Sequence, residues 1–312
     1  MKTLFLCLFL AAVQPGDSLK VLFWNLENYF DWRDGGAGSA DTEFSSKGDK
    51  RWTKRRFKAK SNAIAKTLLW AGTPDVVGLA EVENKFALKR LLEDTALRKL
   101  DYKIVHFDSP DPRGIDVALL YRSSRLKFVR AKPCHIYGKK GEVLTTRDIL
   151  LAQFKPVGGG EPIAFLVNHH PSKYSGVEET NKRRERAVKR LRALADSLQG
   201  AGYKRIVAMG DMNDTPANSV YKKLSPTLRN LAEPLHKKGQ GTIRYDGDWE
   251  LIDMFFATPA TNAGPMRILH PAFLTENDKK HGGEKPLRTY SGKKYLGGVS
   301  DHRPIQVCLP CK

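Results

Sequence analysis

Asn, Asp, Glu and His residues recur at or beside the ends of short apolar segments in this chain. Five segments show the pattern: F-W-N-L-E-N at 23–28, V-G-L-A-E-V-E-N at 77–84, F-L-V-N-H-H-P-S-K at 165–173, V-A-M-G-D-M-N-D at 207–214 and V-S-D-H-R-P at 299–304. A sixth, W-E-L-I-D-M-F-F at 249–256, has Asp253 inside an apolar run, where an ionised carboxylate is unfavourable unless it is paired. If these segments are neighbouring strands, their polar groups converge on one site.

Carboxylates, amides and imidazoles gathered in one site are suited to the hydrolysis of phosphoesters. A phosphodiester is anionic and repels hydroxide, so its hydrolysis requires charge neutralisation, an oriented water and a proton for the leaving oxygen. Carboxylate oxygens bind Mg²⁺, and imidazole, whose ordinary pKa is about 6.5, exchanges protons near neutral pH. The residue types are therefore compatible with catalysis of this kind.

Each of these residues also has a structural interpretation. Asn25 fits a strand-end cap, Glu81 a surface carboxylate, and His169 a core histidine. Asp211 and Asn213 fit a turn. Only the joint occurrence of acids, amides and imidazoles in six segments favours catalysis over these separate explanations.

The elements that must position these groups follow from composition and periodicity. Runs rich in β-branched and aromatic residues, bounded by turn residues, predict strands at 19–24, 76–80, 103–107, 116–121, 163–168, 205–209, 252–257 and 304–308. Apolar residues at three- and four-residue steps predict helices at 54–70, 84–100 and 178–199, each with a basic outer face. Because many strands are too far apart in sequence for one meander, we expect two packed sheets with helices outside.

The first residues have the layout of a secretory signal peptide, with Lys2, an apolar run and then polar breakers. A buried first strand or helix is the alternative. The run is about half the ~20 residues that a membrane-spanning helix needs. We therefore expect a signal peptide at about 1–18, a single domain at 19–312, a secreted or periplasmic location and no stable membrane insertion. The cysteines that remain, Cys134, Cys308 and Cys311, allow at most one internal disulfide.

The overall composition indicates a globular protein with a polyanionic partner. Apolar residues make up 41% of the 312 residues, which is enough to form a core and excludes a disordered chain. Lys and Arg number 53 against 34 Asp and Glu, which gives a net charge of +19. Such a balance favours a nucleic acid or another polyanion, although a basic protein kept soluble by its charge has the same composition. Nothing in the sequence specifies an oligomeric state.

The six segments, in this order, resemble the motif set of the endonuclease/exonuclease/phosphatase superfamily over about residues 19–307. The most specific pieces are G-D-M-N-D at 210–214 and S-D-H-R-P at 300–304, and W-N-L-E-N-Y-F-D with R-G-I-D-V-A-L-L-Y-R resembles exported bacterial members. The superfamily includes deoxyribonuclease I, exonuclease III, sphingomyelinases and inositol polyphosphate phosphatases. The resemblance implies an α/β fold, a four-layer α/β/β/α sandwich of two packed mixed sheets with helices outside.

The resemblance also implies roles for individual residues. It implies a divalent cation, Mg²⁺ with Mn²⁺ or Ca²⁺ as alternatives, whose ligands are Asn25, Glu81 and Asp301. It implies catalytic groups that activate water and protonate or stabilise the reacting oxygens, namely His169, Asp211, Asn213, Asp253 and His302. Within this set Asp253 orients His302. Because successive side chains of a strand alternate, only one of His169 and His170 enters the site, and we expect it to be His169.

Arg113 and Arg147 are candidate substrate-binding residues, because a guanidinium fork matches two phosphate oxygens. A solvated surface position is the alternative for both. The run at 50–60 interleaves cations with Trp52 and Phe57, as in a nucleic-acid groove or in a helix whose aromatics face the core. The leading hypothesis is a nonspecific nuclease acting on DNA or RNA. The alternatives are a sphingomyelinase-like phosphodiesterase or phosphatase on lipid head groups or inositol phosphates, and an inactive polyanion-binding module.

Overall fold

The computed structural model of the protein describes residues 18–36, 38–172 and 177–311. The predicted signal peptide, about 1–18, therefore lies outside the described residues except at its approximate end. Within the described ranges, each helix is too short or too polar to cross a bilayer.

Eighteen strands and five α-helices form the described part of the chain. The strands are β1 (Ser18–Tyr29), β2 (Val76–Val82), β3 (Tyr102–His106), β4 (Asp116–Arg122), β5 (Leu126–Cys134), β6 (Ile149–Pro156), β7 (Ile163–His169), β8 (Arg205–Asp211), β9 (Arg229–Asn230), β10 (Ile243–Tyr245), β11 (Asp248–Glu250), β12 (Asp253–Ala257), β13 (Arg267–Ile268), β14 (Thr275–Asn277), β15 (Glu284–Pro286), β16 (Tyr290–Ser291), β17 (Lys294–Tyr295) and β18 (Ile305–Pro310). The helices are α1 (Ser39–Glu43), α2 (Lys54–Trp70), α3 (Lys85–Asp94), α4 (Val177–Gly200) and α5 (Glu233–His236).

Two six-stranded mixed sheets make up the centre of the fold. The first has the order β13-β18-β1-β2-β4-β3, and the second has the order β5-β6-β7-β8-β12-β9. In the first sheet β1 is parallel to β2, and in the second β7 is parallel to β8. Their other pairs are antiparallel. The hairpins β10–β11, β14–β15 and β16–β17 lie outside the two sheets.

The apolar alternation of β1 shows how the sheets bury both faces. Val21 and Phe23 belong to the core cluster that lies between the sheets, together with residues of β6, β7 and β8. Leu22 and Trp24 belong to a second cluster, which is shared with α2 and α3. Because successive side chains on a strand point to opposite faces, an odd-numbered residue further along β1, such as Asn25, continues the face between the sheets.

Helices cover the two outer faces. Phe57 and Ile64 of α2 and Leu91 of α3 pack on the first sheet. Val188 and Leu191 of α4 pack in the cluster that contains the second sheet. The order is therefore helices, sheet, sheet, helix, which confirms the predicted four-layer α/β/β/α sandwich.

The short strands of two or three residues and the short helices α1 and α5 were not predicted, and among the longer elements two strands and one helix boundary differ from the prediction. Strand β5 was not predicted because it is an edge strand whose residues 127–130 are exposed and lack apolar alternation. Strand β6 was not predicted because a continuous apolar run does not distinguish a buried strand from a buried helix. The helix expected at 84–100 ends at Asp94, where Thr95 adopts an extended conformation and caps a short 3₁₀ turn.

Candidate active site

The polar groups of the six segments meet at one edge of the two-sheet core. Asn25, Glu81, His169 and Asp211 lie at or near the carboxyl ends of β1, β2, β7 and β8. Asp253 is the first residue of β12 and pairs with Asp211 across the antiparallel ladder. The residues His302 and Asp301 come just before β18, which is antiparallel to β1. Parallel central strands and antiparallel neighbours thus bring all these positions to the same rim.

Glu81 is brought to this rim by an irregularity in β2. The register between β2 and β4 shifts between Ala80 and Val82, so Glu81 is an extra residue in the ladder. It has a φ of 58°, a left-handed conformation that is unfavourable for a residue with a side chain. The backbone N–H of Asn28 donates to Oε2 of Glu81 at 2.8 Å. Asn28 itself has a φ of 57°, and strained positions of this kind are concentrated at functional sites.

Asn25 links the two carboxylates at the centre of the site. Its Nδ2 donates to Oδ2 of Asp211 at 3.0 Å and to Oε1 of Glu81 at 3.4 Å. Its Oδ1 accepts the backbone N–H of Glu27 at 2.9 Å. The amide nitrogen of Asn25, rather than its oxygen, therefore faces the carboxylates in this structure.

His302 and Asp253 form a buried pair. The distance between Nδ1 of His302 and Oδ2 of Asp253 is 2.8 Å. Burial alone lowers the pKa of His302, but Asp253 and the nearby Asp211 and Asp301 outweigh it and raise that pKa well above 6.5. The carboxylates around His302 therefore favour its charged form, and Asp253 tolerates its strand because it is paired.

His169 is the second imidazole close to Asp211. Its Nε2 is 3.6 Å from Oδ2 of Asp211 and 3.9 Å from Oε1 of Glu81. Burial, and then the positive charges of Arg147 and Arg113, hold the pKa of His169 well below 6.5. The surroundings of His169 therefore disfavour its charged form.

The carboxylate of Asp211 lies within 4 Å of Asn25, His169 and His302. Burial raises its pKa to about 7, with Asp253 adding to the effect and His302 opposing it. Gly210 allows the approach of β7 and β8 here, because an added Cβ would lie 2.3 Å from the carbonyl oxygen of Asn168. The backbone N–H of Asn213, a residue with a φ of 51°, donates to Oδ1 of Asp211 at 2.8 Å. A carboxyl group with a pKa near neutrality is suited to accept a proton from water.

A family model described as the Endonuclease/Exonuclease/phosphatase family matches residues 20–310 of the chain. The chain belongs to the endonuclease/exonuclease/phosphatase family. As a member of this family it is a hydrolase of phosphoester bonds. The family depends on a divalent metal ion. The site at the rim of the two sheets is thus the candidate active centre of a family enzyme.

Solved structures share the fold of this family enzyme at low sequence identity. The mannosyl-6-phosphatase of Bacteroides thetaiotaomicron is 17% identical, with a TM-score of 0.60 over 94% of this chain and 99% of that one. The human nocturnin catalytic domain with bound sulfate is 18% identical, with a TM-score of 0.60 over 94% of each chain. D. rerio TDP2 complexed with single strand DNA product is 17% identical, with a TM-score of 0.55 over 94% of this chain and 98% of that one. A search of curated proteins found no match.

The donor set at the rim fits a divalent metal ion. Carboxylate oxygens of Glu81 and Asp211 lie on either side of the Asn25 amide. Such hard oxygen donors suit Mg²⁺. Ligand atoms of Asp211, Asp253 and His302 also lie within 4.8 Å of one another. Because Asp253 and His302 bind each other, we interpret that second group as catalytic.

Asp301 is held at the edge of the site by residues that the sequence did not indicate. Nη2 of Arg288 lies 3.0 Å from Oδ2 of Asp301 and 3.1 Å from Oε1 of Glu27. The buried Nζ of Lys60 donates to the carbonyl oxygen of Glu27 at 2.6 Å and to Oγ1 of Thr289 at 2.8 Å. Burial lowers the pKa of Lys60 to about 8. Arg288 and Lys60 lie outside the six motif segments, so only the fold reveals that both contact Glu27.

Ser300 and Trp24 fix the segment that carries His302. Oγ of Ser300 donates to the carbonyl oxygen of Asn25 at 2.6 Å and accepts the backbone N–H of His302 at 3.0 Å. Nε1 of Trp24 donates to the carbonyl oxygen of His302 at 2.9 Å. Both residues lie inside the motifs W-N-L-E-N and S-D-H-R-P, so their proximity to the site was visible in the sequence but their hydrogen bonds were not.

Arg113 and Arg147 lie beside the cluster, on the wall of a cavity, and do not belong to its centre. Arg147 is buried, and its Nη2 donates to the carbonyl oxygen of His170 at 2.6 Å. The ring of His170 is buried, and its pKa is lowered to about 3 by burial and by the charges of Arg147 and Arg184.

The cation-rich run at 50–60 is not an aromatic groove. Trp52 and Phe57 are buried, and Nε1 of Trp52 donates to the carbonyl oxygen of Phe30 at 2.8 Å. The alternative that both aromatics face the core is therefore confirmed, although Lys60 is buried rather than exposed.

Proposed function

We propose that this family enzyme is a secreted, Mg²⁺-dependent phosphodiesterase that hydrolyses the backbone of nucleic acids without sequence specificity. The observation that carries the proposal is the convergence of two imidazoles on one carboxylate oxygen of Asp211. His302 Nε2 is 3.8 Å from Oδ2 of Asp211 and His169 Nε2 is 3.6 Å from the same oxygen. A phosphoryl group bound beside Asp211 would therefore be within reach of both imidazoles.

The chain's own residues divide the work among them. Asp211 accepts the proton of the attacking water, and the backbone N–H of Asn213 holds the Asp211 carboxylate for that transfer. The His302 imidazolium, oriented by Asp253, stabilises the phosphoryl oxygens and can give a proton to the leaving oxygen. Glu81 would be the principal ligand of Mg²⁺, with Asp301 beside it, and Asn25 would join them once its amide oxygen, which here accepts the N–H of Glu27, turns towards the ion. When bound, Mg²⁺ would neutralise phosphate charge and favour deprotonation of water.

His169 is assigned a different task from His302. Because its pKa is well below 6.5, it is a neutral hydrogen-bond donor to the leaving oxygen at pH 7. The leaving alkoxide then takes its proton from the solvent or from His302, whose raised pKa favours the protonated ring. In this proposal His169 and His302 therefore have different roles and are not two equivalent acids.

Charge and similarity support a nucleic-acid substrate. The net charge of +19 favours a polyanion whose binding is dominated by its backbone phosphates. One similar structure is a TDP2 complexed with single strand DNA product. The signal-peptide layout of the first residues supports export. The similarity to a mannosyl-6-phosphatase favours a phosphatase as the second candidate.

A panel of substrates separates these functions. Purified protein is incubated with supercoiled plasmid, single-stranded RNA, sphingomyelin, inositol phosphates and a sugar phosphate, each with Mg²⁺ and with EDTA. We expect Mg²⁺-dependent cleavage of plasmid or RNA, and we expect His302→Ala to cleave them at least about 10²-fold more slowly. Release of phosphate from monoesters alone would replace the nuclease by the phosphatase, and turnover of sphingomyelin alone would make the protein a lipid phosphodiesterase. Binding of polyanions without any turnover would indicate a binding module.

A further inference from the structure

A second group of metal-ligand residues lies where β3 and β4 are connected. Ligand atoms of His106, Asp108 and Asp116, one from each residue, lie within 4.8 Å of one another. Within the described ranges, the other cluster of this kind consists of Asp211, Asp253 and His302 and belongs to the candidate active site. The three residues at the β3–β4 connection have no role in the proposed hydrolysis, so they require a separate explanation.

The register of β3 and β4 brings two of these side chains together. His106 is the last residue of β3 and pairs with Ala118 across the antiparallel ladder. Asp116 is the first residue of β4 and precedes Ala118 by two positions, so its side chain lies on the same face of the sheet as that of His106. Asp108 follows His106 by two positions in the loop at 107–115. The fold therefore gathers the three residues at the two ends of one loop.

The carboxylate of Asp116 is buried without a lysine or arginine partner. The residue is 3% exposed, and none of the lysines and arginines that the structure describes forms an ion pair with it. Its Oδ1 accepts hydrogen bonds from the backbone N–H and from Oγ of Ser109. Its Oδ2 faces Nε2 of His106 at 3.3 Å. Because a buried carboxylate is unfavourable unless a cation or a metal ion compensates its charge, a positive charge is expected beside Oδ2.

The imidazole of His106 is equally incomplete. Its side chain is 2% exposed, and its Nε2 has no hydrogen-bond partner although Oδ2 of Asp116 is only 3.3 Å away. Two ligand atoms that each lie about 2.0–2.1 Å from a tetrahedral ion are about 3.3–3.4 Å apart, which agrees with the spacing of these two atoms. An ion that has lost its water shell lies between its ligand atoms, so it needs no water-sized space beside them. The burial of the two atoms is therefore compatible with a shared ion.

Asp108 supplies a carboxylate from the solvent side. Its side chain is 92% exposed, and its Oδ1 lies 3.9 Å from Nδ1 of His106. An exposed side chain in a loop is free to rotate onto an ion, and water fills the position that remains in a four-coordinate site. The exposure of Asp108 also provides the path by which an ion enters.

We infer that His106, Asp108 and Asp116 form a second cation site, which binds a divalent transition-metal ion such as Zn²⁺. An imidazole ligand favours Zn²⁺ over Mg²⁺ and Ca²⁺, because the latter two prefer oxygen ligands alone. The ion would join the two ends of the loop at 107–115 and is therefore structural. The site uses none of the residues of the candidate active site, so it does not depend on the substrate of the enzyme.

Anomalous diffraction locates the ion directly. Crystals of the untagged protein are soaked in Zn²⁺, and data are collected on both sides of the zinc absorption edge. We expect a zinc peak about 2.0–2.2 Å from Nε2 of His106 and from a carboxylate oxygen of Asp116. The absence of a peak at this place, including zinc bound only near Asp211, would overturn the inference.

Counting the bound ions tests the ligands one at a time. The untagged wild type and its variants are equilibrated with Zn²⁺ by dialysis, and the zinc content is measured by mass spectrometry. His106→Gln should bind one zinc ion fewer per chain than the wild type. Asp108→Asn should bind this ion at least about tenfold more weakly, and because Asp108 is exposed, its substitution leaves the core intact.

His270→Gln and Asp248→Asn are the matched controls, because both residues are exposed and neither belongs to the cluster. They should bind as much zinc as the wild type. Zinc held by the candidate active site is common to all four variants and cancels in the comparison. Equal zinc content in the wild type and in a folded His106→Gln, or equal zinc affinity in the wild type and Asp108→Asn, would overturn the site.

Discussion

The imidazole of His302 and the carboxylate of Asp253 are hydrogen bonded at 2.8 Å in the interior of the protein. The two residues are 49 positions apart in the sequence and meet because β12 and β18 belong to different sheets that end at the same rim. In this pair, burial lowers the pKa of His302 and the charge of Asp253 raises it.

His302→Ala and Asp253→Asn should each lower kcat on a nucleic-acid substrate by about 10²–10⁴-fold, the usual contribution of a positioned acid or base. The reason is that His302→Ala removes the imidazolium and Asp253→Asn removes the charge that raises its pKa. Steady-state kinetics with circular dichroism as a check on folding measures both. Lys58→Ala, at an exposed position of α2, is the control and should keep the wild-type rate.

If His302 and Asp253 act as a unit, the double variant should be scarcely slower than His302→Ala alone. Independent, multiplicative losses would show that Asp253 supports the fold or another group rather than His302.

Catalysis on a polynucleotide should weaken steeply with salt. Because cations that contact phosphates release counterions from the nucleic acid, log(kcat/KM) should fall linearly with log[NaCl]. A small diester such as bis(p-nitrophenyl) phosphate should show a much smaller slope, since it carries one charge. Initial rates between about 50 and 200 mM salt measure the slopes. Equal slopes for the two substrates would indicate that the charge of +19 has no part in substrate binding.

His170 should make the fold sensitive to acid. Its pKa in the folded protein is about 3, below the ordinary value of 6.5, because burial and two nearby cations disfavour the charged ring. A depressed pKa means that the unfolded chain binds more protons. The stability that comes from keeping His170 neutral is therefore fully present above about pH 6.5. As the pH falls below that value, the free energy of unfolding decreases by about 1.4 kcal/mol per pH unit.

The variant His170→Leu should not show this loss, so its free energy of unfolding should rise relative to the wild type between pH 6 and 4. Urea unfolding at several pH values measures the difference. His270→Leu, at an exposed position, is the matched control and should follow the wild type. A constant difference between His170→Leu and the wild type across this range would contradict the buried neutral ring.

The strands that carry the site were predictable because each joins an apolar run to a polar terminus. Predicted strands at 76–80, 163–168 and 205–209 correspond to the observed β2, β7 and β8. The observed strands extend one or two residues further, to Val82, His169 and Asp211. Those added residues include the functional ones, because hydrogen bonding to the neighbouring strand, and not local propensity, sets where a strand ends.

Other features depend on contacts between distant residues, which a pattern along the chain does not contain. The bulge at Glu81 is set by the register of β2 against β4. Arg288 bridges Glu27 and Asp301, and its contact with Glu27 joins residues that are 261 positions apart in the sequence. The direction of the Asn25 amide is set by the backbone N–H of Glu27. Sequence motifs therefore identified which groups meet, whereas their orientation required the fold.

The most direct test of the account is the cleavage of a fluorescent oligonucleotide as a function of Mg²⁺ concentration, in the wild type and in Glu81→Gln. The wild type should show saturable dependence on Mg²⁺ and no cleavage in EDTA. Glu81→Gln, which keeps the shape of the side chain but removes its charge, should require about tenfold more Mg²⁺ or more and cleave slowly at saturation. Cleavage that persists in EDTA, or an identical Mg²⁺ dependence and rate in the variant, would contradict a metal-dependent site at this rim.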